Sequence, residues 1–336
     1  MTGRPVGLYL IRPDVLDEVY GPAEQAEAAA LLDLRHPPQT PASIRNDPSP
    51  LRDVEVLLAG WGLPRLDAEL LEHAPRLRLV LYGGGSTRPF VTPELWSRGV
   101  RIVTARAANS LPVADYTLAV ILFSLKHGWR LMGQTRGPSE PYAPAAEMPG
   151  GYGSTIGLLS LGSVGRLVRE RLRPFDLTVL ACDPALGPGE ARGLDVKPVG
   201  LEELFAESDI VSVHTPLLDS TIGLVTRDLI ASMPHGASFI NTARGAIVRE
   251  RDLAEALEAR PDLQAVLDVT EHEPLAADSR LRHLPNVVLT PHIAGAMGRE
   301  RRRLGRLLIG ELKRYLAAEP LEWEIGPAES AAMGET

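Results

Sequence analysis

Three residues in the second half of this 336-residue chain carry side chains suited to moving a proton and holding an acid. They are Arg244 in "NTARGAIV", Glu273 in "DVTEHEPL" and His292 in "LTPHIAG". A histidine exchanges a proton with an alcohol near neutral pH, and a neighbouring carboxylate fixes which ring nitrogen carries it. A guanidinium grips a carboxylate through two parallel hydrogen bonds and holds a carbonyl beside it. Asp268 stands in the same stretch as Glu273. Singly, each has an ordinary reading: an Arg beside a Gly is commonly a surface charge, and Glu-Pro commonly ends a helix or loop. Their recurrence at the ends of three successive apolar runs points instead to one site.

A second chemistry lies upstream, in "STIGLLSLGSVGRLVRERL" from Ser154 to Leu172. A buried run enters a turn and then a helix, with the G-x-G-x-x-G pattern written as Ser160, Leu161, Gly162, Ser163, Val164, Gly165. Gly162 and Gly165 are spaced so that backbone can approach a pyrophosphate at a helix N-terminus. Asp183 closes the next apolar run and has the position of a carboxylate that accepts hydrogen bonds from a ribose 2′-hydroxyl. A 2′-phosphate would be repelled there, and Pro184 follows rather than an arginine, so NAD is favoured over NADP. Serine suits the first position if its φ is negative, which is the expectation for Ser160. Its hydroxyl then has a helix N–H or a phosphate oxygen to bond. Gly162 is expected to lie nearest the pyrophosphate, because a Cβ there would stand between backbone and cofactor.

These residues need elements to place them. "VGLYLI", "VEVLLAG", "LRLVLY" and "VRIVTA" read as strands of a first α/β unit spanning 5–105. "TIGLLSL", "LTVLACD", "DIVSVHTP", "ASFINTA", "LQAVLDV" and "NVVLTPH" form a second series, mostly separated by helical stretches. Near-continuous apolar strands alternating with helices indicate a doubly wound parallel sheet, whose ligands sit outside the carboxyl ends of its strands. "SLPVADYTLAVILFSLKHGWRLM" is expected as one helix over 110–132, with Ser110 as N-cap and Pro112 in its first turn. A Pro/Gly-rich surface loop follows over 137–154. After His292 the chain enters a long helix that can return it to the first unit.

The length exceeds one ordinary core and suggests two domains. Composition is that of a globular protein, 44% hydrophobic and 23% charged. A net charge of −8 argues against a phosphate-backbone partner. The Arg-rich run from Gly298 to Leu316 is expected as the solvated face of one amphipathic helix. The lone cysteine, Cys182, excludes an internal disulfide and a cysteine metal cluster, and reads as a small core residue. No metal site is expected, and no run approaches membrane-spanning length. A cytoplasmic enzyme or binding protein is the resulting expectation.

The chain resembles the D-isomer-specific 2-hydroxyacid dehydrogenases, the family of phosphoglycerate, glyoxylate and hydroxypyruvate reductases. "LRLVLYGGGSTR", "AANSLPVADYTLAVIL", "GLLSLGSVGR", "HTPLLDSTIGLV", "FINTARGAIV", "VLDVTEHEPL" and "NVVLTPHIAG" fall in the family's order, from about Val54 to Pro320. The resemblance implies an α/β fold of two domains, a Rossmann-type doubly wound parallel sheet inserted in a flavodoxin-like substrate domain. The substrate domain would comprise 1–105 and 291–336, and the NAD-binding domain 106–290. It implies that Arg244 binds the substrate carboxylate, that Glu273 rather than Glu271 pairs with the catalytic His292, and that Asp268 lies near the nicotinamide. Cofactor binding would fall to Ser160, Gly162, Ser163, Val164, Gly165, Asp183, Thr215, Pro216, Thr242, Asp268 and Gly295. His214 matches a family position next to the cofactor rather than the catalytic one. His127, His235 and His283 read as surface or packing residues.

Departures from the family bear on substrate. The carboxylate-binding loop is Gly84-Gly85-Ser86-Thr87-Arg88, whose N–H groups can still cradle a carboxylate. Arg88 replaces a usual acid and reads as a surface charge or as a partner for a further anionic group. "AGWGLPR" lacks the arginines that phosphoglycerate enzymes use for phosphate, and Trp61 offers an apolar wall instead. The expected activity is NAD-dependent hydride transfer between a 2-keto acid and a D-2-hydroxy acid in a cytoplasmic homodimer, joined through 110–132 and the loop after it. Neither nucleic acid nor membrane is an expected partner. The alternatives are a catalytically silent NAD(H)-sensing protein of corepressor type, and an enzyme with another donor such as formate.

Overall fold

The computed structural model describes residues 3–134 and 148–333. It divides into two compact units, one of Met1–Asn109 with Ala296–Thr336 and one of Ser110–Gly295.

The first unit is built on parallel strands β1 (Gly7–Leu10), β2 (Val56–Ala59), β3 (Leu79–Tyr82) and β4 (Arg101–Thr104), paired in that order. Every residue of β1, β2 and β3 is buried, as befits strands covered on both faces. Helices α1 (Pro13–Val19) and α2 (Pro22–Leu31) cover one face, each with a proline opening its first turn. A further segment runs along β1 through parallel bridges Val6–Asp33 and Leu10–Gln39. Counted as the second strand, it gives the flavodoxin-like order 2-1-3-4-5. Pro37 and Pro38 remove N–H groups there and keep it from forming a full strand.

Helix α3 (Arg106–Ser124) begins four residues before the expected N-cap, so Ser110 lies inside it with its hydroxyl 3.1 Å from that of Ser163. Pro112 is likewise internal. The expected single helix stops at residue 124, His127 turns the chain at φ 48°, and α4 (Gly128–Gln134) follows. Contrary to expectation, α3 is long and apolar enough to cross a membrane by length and composition, with a mean hydropathy of 1.2 over its window. Half of that window is buried in the fold, where Ala114, Val120 and Ile121 join the sheet's core. The loop expected over 137–154 lies, for residues 137–147, outside the described residues.

The second unit carries β5 (Thr155–Leu159), α5 (Ser163–Leu172), β6 (Thr178–Cys182), β7 (Lys197–Pro198), β8 (Ile210–Val213), β9 (Ser238–Asn241), α6 (Glu250–Ala259), β10 (Gln264–Leu267) and β11 (Val287–Leu289). All pairs are parallel, in the order β11-β10-β9-β8-β5-β6-β7. This is the doubly wound arrangement, in which the direction of winding reverses between β5 and β8.

The chain then returns to the first unit through α7 (Arg301–Leu316) and β12 (Glu324–Ile325), which pairs antiparallel with β4. Leu304, Leu308, Ile309 and Leu312 bury the apolar face of α7. Its basic face is not merely solvated: Arg306 reaches Glu24 at 3.0 Å, Lys313 reaches Glu27 at 2.6 Å, and Arg301 pairs with Glu18.

Candidate active site

The winding reversal puts the end of β5 beside the end of β8, and the residues after each strand meet there. Ser160 takes φ 76°, so the expectation of a negative φ is wrong. Its backbone N–H continues the strand to the Cys182 carbonyl at 2.9 Å, while the next N–H, of Leu161, turns to Asp183 Oδ2 at 2.7 Å. Making both bonds forces the left-handed torsion that a glycine adopts freely. For serine it costs roughly 1–2 kcal/mol. The Ser160 hydroxyl lies 3.0 Å from that of Thr215, whose own hydroxyl donates to the Leu159 carbonyl at 3.3 Å. That chain of hydroxyls offsets part of the strain and draws the side chain toward β8.

Gly165 is required by packing, since a Cβ would stand 2.3 Å from the Ser160 carbonyl oxygen. Gly162 is different. It is extended, with φ −68° and ψ −164°, and no protein atom lies within 4 Å of where its Cβ would be. Nothing in the protein demands glycine there, but a pyrophosphate approaching the backbone would. The N–H groups at the start of α5, from Ser163 and Val164, have no partner within the helix and suit an anion. Asp183 accepts from Leu161 and, through Oδ1, from Ala185 N–H at 2.8 Å, and keeps lone pairs for a ribose hydroxyl. These residues therefore fit a dinucleotide. Pro216 follows Thr215 at the same strand end.

His214, beneath this loop, is buried, and its Nε2 has no hydrogen-bond partner among the described residues. Burial pushes its pKa down to about 4, so it is a neutral packing residue. Burial also raises the Cys182 thiol above its usual value, which makes it a poor nucleophile.

At the ends of β9, β10 and β11 the other residues gather. His292 Nδ1 lies 2.7 Å from Glu273 Oε2, with both side chains nearly half exposed. His292 has φ 54°, a torsion unusual outside glycine, and the structure around it enforces this. Its N–H donates to the carbonyls of Asp268 and Thr290 at 2.9 and 3.0 Å. The Asp268 carboxylate accepts from Ile293 N–H at 2.9 Å, Ala294 N–H at 2.8 Å and the Thr290 hydroxyl at 2.6 Å. At 2% exposure, Asp268 holds the histidine loop through these bonds. Thr290 is joined in turn to Tyr116 of α3 at 2.8 Å. Tyr116 and Thr290 went unnoticed in the sequence, where a hydroxyl has no periodicity to mark it.

Arg244 follows β9. Asn241 shapes its turn by donating to the Arg244 carbonyl at 2.9 Å and accepting from Ala243 N–H at 3.0 Å. Burial lowers the pKa of the guanidinium from its usual value, and the charge of Glu273 acts against that shift. Thr242 is buried, with its hydroxyl 3.0 Å from that of Thr117 in α3. Gly295 closes the segment of the second unit, next to Ala294. A cavity of about 350 Å³ opens beside the pair, lined among others by Glu273, Leu275, Arg282, Leu289 and His292.

The loop Gly84-Gly85-Ser86 belongs to the first unit. Gly84 sits against the Tyr82 ring, and a Cβ there would lie 2.6 Å from a ring carbon. The N–H groups of Gly84 and Gly85 donate to no backbone acceptor among the described residues. Trp61 is not a bare apolar wall, because the Arg301 guanidinium lies over its ring at 5.3 Å. Arg88 is half-buried rather than fully exposed.

Sheet order, the open space at Gly162 and the residues at the strand ends define a dinucleotide-binding α/β protein with a histidine–carboxylate pair. Residues 130–294 match the D-isomer specific 2-hydroxyacid dehydrogenase, NAD binding domain, which gives NAD as the cofactor. The chain is 34% identical over 260 residues to (S)-sulfolactate dehydrogenase of Chromohalobacter salexigens, covering 75% of this chain and 82% of the relative. It is 30% identical over 267 residues to hydroxypyruvate reductase of Thermotoga maritima, covering 79% and 85%. D-3-phosphoglycerate dehydrogenase of Mycobacterium tuberculosis is 31% identical over 76% of this chain, which spans only 48% of that relative. The chain thus spans about half the length of the phosphoglycerate dehydrogenases it matches. Among solved structures, the TT0316 protein of Thermus thermophilus superimposes with a TM-score of 0.76 at 27% identity, covering 96% of this chain and 100% of that one. The chain belongs to the D-isomer specific 2-hydroxyacid dehydrogenase family.

Proposed function

We propose that the protein catalyses reversible, NAD-dependent interconversion of a 2-keto acid and a D-2-hydroxy acid. The observation that carries this reading is the 2.7 Å contact between His292 Nδ1 and Glu273. With Nδ1–H given to Glu273, Nε2 is left to exchange a proton with the substrate oxygen. Arg244 binds the substrate carboxylate and draws electron density from the keto oxygen beside it, and the N–H groups of Gly84, Gly85 and Ser86 contribute to holding the acid. Ser160, Gly162, Ser163, Val164, Gly165, Thr215, Pro216, Thr242 and Gly295 form the binding surface for the dinucleotide. Asp183 sets the preference for NAD over NADP. When bound, NADH supplies the hydride.

NADH absorbance followed against a panel of 2-keto acids tests this reading, and oxidation with formation of the D-hydroxy acid is expected. Tight NADH binding without oxidation of any keto acid would favour a silent sensor instead. Formate-dependent reduction of NAD would favour the other donor.

The protein is further proposed to be a cytoplasmic homodimer associating through α3 and α4. Phe123 and Met132 on these helices support this, being 40% and 46% exposed, as does Tyr152 shortly before β5, at 84%. Sedimentation velocity is expected to give twice the chain mass of 36.3 kDa, and a monomer at micromolar concentration would refute the dimer.

A further inference from the structure

Glu273 stands on an irregular stretch, residues 268–279, with neither helix nor strand to fix it. A carboxylate that orients a histidine needs a backbone held to a fraction of an ångström, so something else holds this loop. On its inner side Gly245, next to Arg244, lies directly beneath it: a Cβ at Gly245 would fall 1.9 Å from the Thr270 carbonyl carbon. On its outer side two charged residues tie it down, and neither shares a hydrogen bond with Glu273 or His292.

Two residues before Glu273, Glu271 Oε2 accepts the N–H of Glu250 at 2.8 Å. Glu250 opens α6, whose N-cap residue Arg249 provides no side-chain cap. Glu271 thus satisfies an orphan N–H and sets a negative charge at the positive end of a ten-residue helix. Beyond Glu273, Arg282 donates from Nε to the Ala276 carbonyl at 2.8 Å and from Nη2 to the Leu275 carbonyl at 2.5 Å. Ser279 closes the stretch on the same helix start, donating to Glu250 Oε1 at 2.5 Å.

We propose that Glu271 and Arg282 are positioning residues, which hold the loop at two points so that the Glu273 carboxylate meets His292. The proposal rests on the proton-exchange reading of that pair. Glu271 acts through the N-terminus of α6, and Arg282 through the two carbonyls that follow Pro274.

Steady-state kinetics of Glu271→Ala and Arg282→Ala test it. Displacement of a catalytic group lowers kcat, here by roughly 5- to 10-fold, with both KM values within about 2-fold of wild type. Glu271→Gln keeps an acceptor oxygen and restores kcat to within about 2-fold; Arg282→Lys keeps one bond of two and restores it in part. In a Glu273→Gln background neither alanine substitution lowers kcat further, because the group they position is already disabled. Unchanged kcat, or losses that multiply fully with Glu273→Gln, would overturn the proposal. Amide hydrogen exchange over residues 270–276 reads the same anchoring without turnover and is expected to quicken in both alanine variants. Unchanged exchange defeats the positioning role. If the wild-type chain oxidises NADH with none of the keto acids while exchange still quickens in both alanine variants, the functional reading alone is defeated.

Discussion

His214 is a buried histidine, and its burial has a measurable consequence. With its pKa held near 4, the folded chain refuses a proton that the unfolded chain takes up below about 6.5. The unfolded state therefore binds more protons across that window. The contribution of this one group is full above pH 6.5 and is expected to be lost as the pH drops toward 4, by about 3 kcal/mol over the whole interval. Urea unfolding midpoints of wild type and His214→Gln between pH 7 and 4.5 check this, and the variant is expected to show a visibly shallower decline. An equally steep decline would mean that other groups cause it. At the same scale, residue types marked which strand ends hold acids and bases, but torsions left no trace. Nothing in "LLSLGSVG" reveals that Ser160 turns left-handed, because that depends on Asp183 accepting Leu161 N–H from the next strand. For the same reason the sequence does not show that the Asp268 carboxylate is enclosed by three donors from residues 290–294.

Among the elements, those with long apolar runs were legible. All ten runs read as strands contain one, since a strand covered on both faces is mostly apolar. β7 and β12 were not legible: each is two residues long and carries charge, too short for any periodicity. The edge segment at 33–39 hid behind its prolines. Helix α3 was placed but misjudged at both ends, because propensity does not show that Pro112 can be held inside a helix packed on a sheet. The turn from β5 into α5 yields a prediction about its two glycines. A Cβ at Gly162 meets no protein atom, so Gly162→Val is expected to leave the thermal midpoint within about 2 °C while abolishing NADH binding; a full loss of NADH binding implies at least roughly 3 kcal/mol. Gly165→Ala strikes the Ser160 carbonyl and is expected to destabilise the fold by about 1–3 kcal/mol. Fluorescence titration with NADH and thermal unfolding of both variants separate the two effects. Intact NADH binding by Gly162→Val would remove the cradle from the account.

For the whole molecule, the two units divide the work unevenly. Arg244, Glu273, His292 and the dinucleotide loop all lie within the Ser110–Gly295 unit, while the Gly84–Ser86 loop is carried by the other. The connections that join the units, α3 and the run after His292, are also the stretches that fix the site. α3 supplies Tyr116 and Thr117, and the return segment begins three residues beyond His292 with Gly295 and Ala296. The sequence could show this division through its two series of apolar runs, but not the identity of the acid, because side chains that recognise a small molecule follow no periodic pattern. The proposed proton exchange is the property on which this reading stands. The most direct measurement is therefore the rate of NADH oxidation by His292→Ala beside wild type, on a keto acid that wild type reduces, with NADH affinity measured on the same samples. Loss of proton exchange is expected to lower kcat by roughly 100-fold or more while NADH affinity stays within about 2-fold. Turnover equal to wild type in that variant would contradict the account.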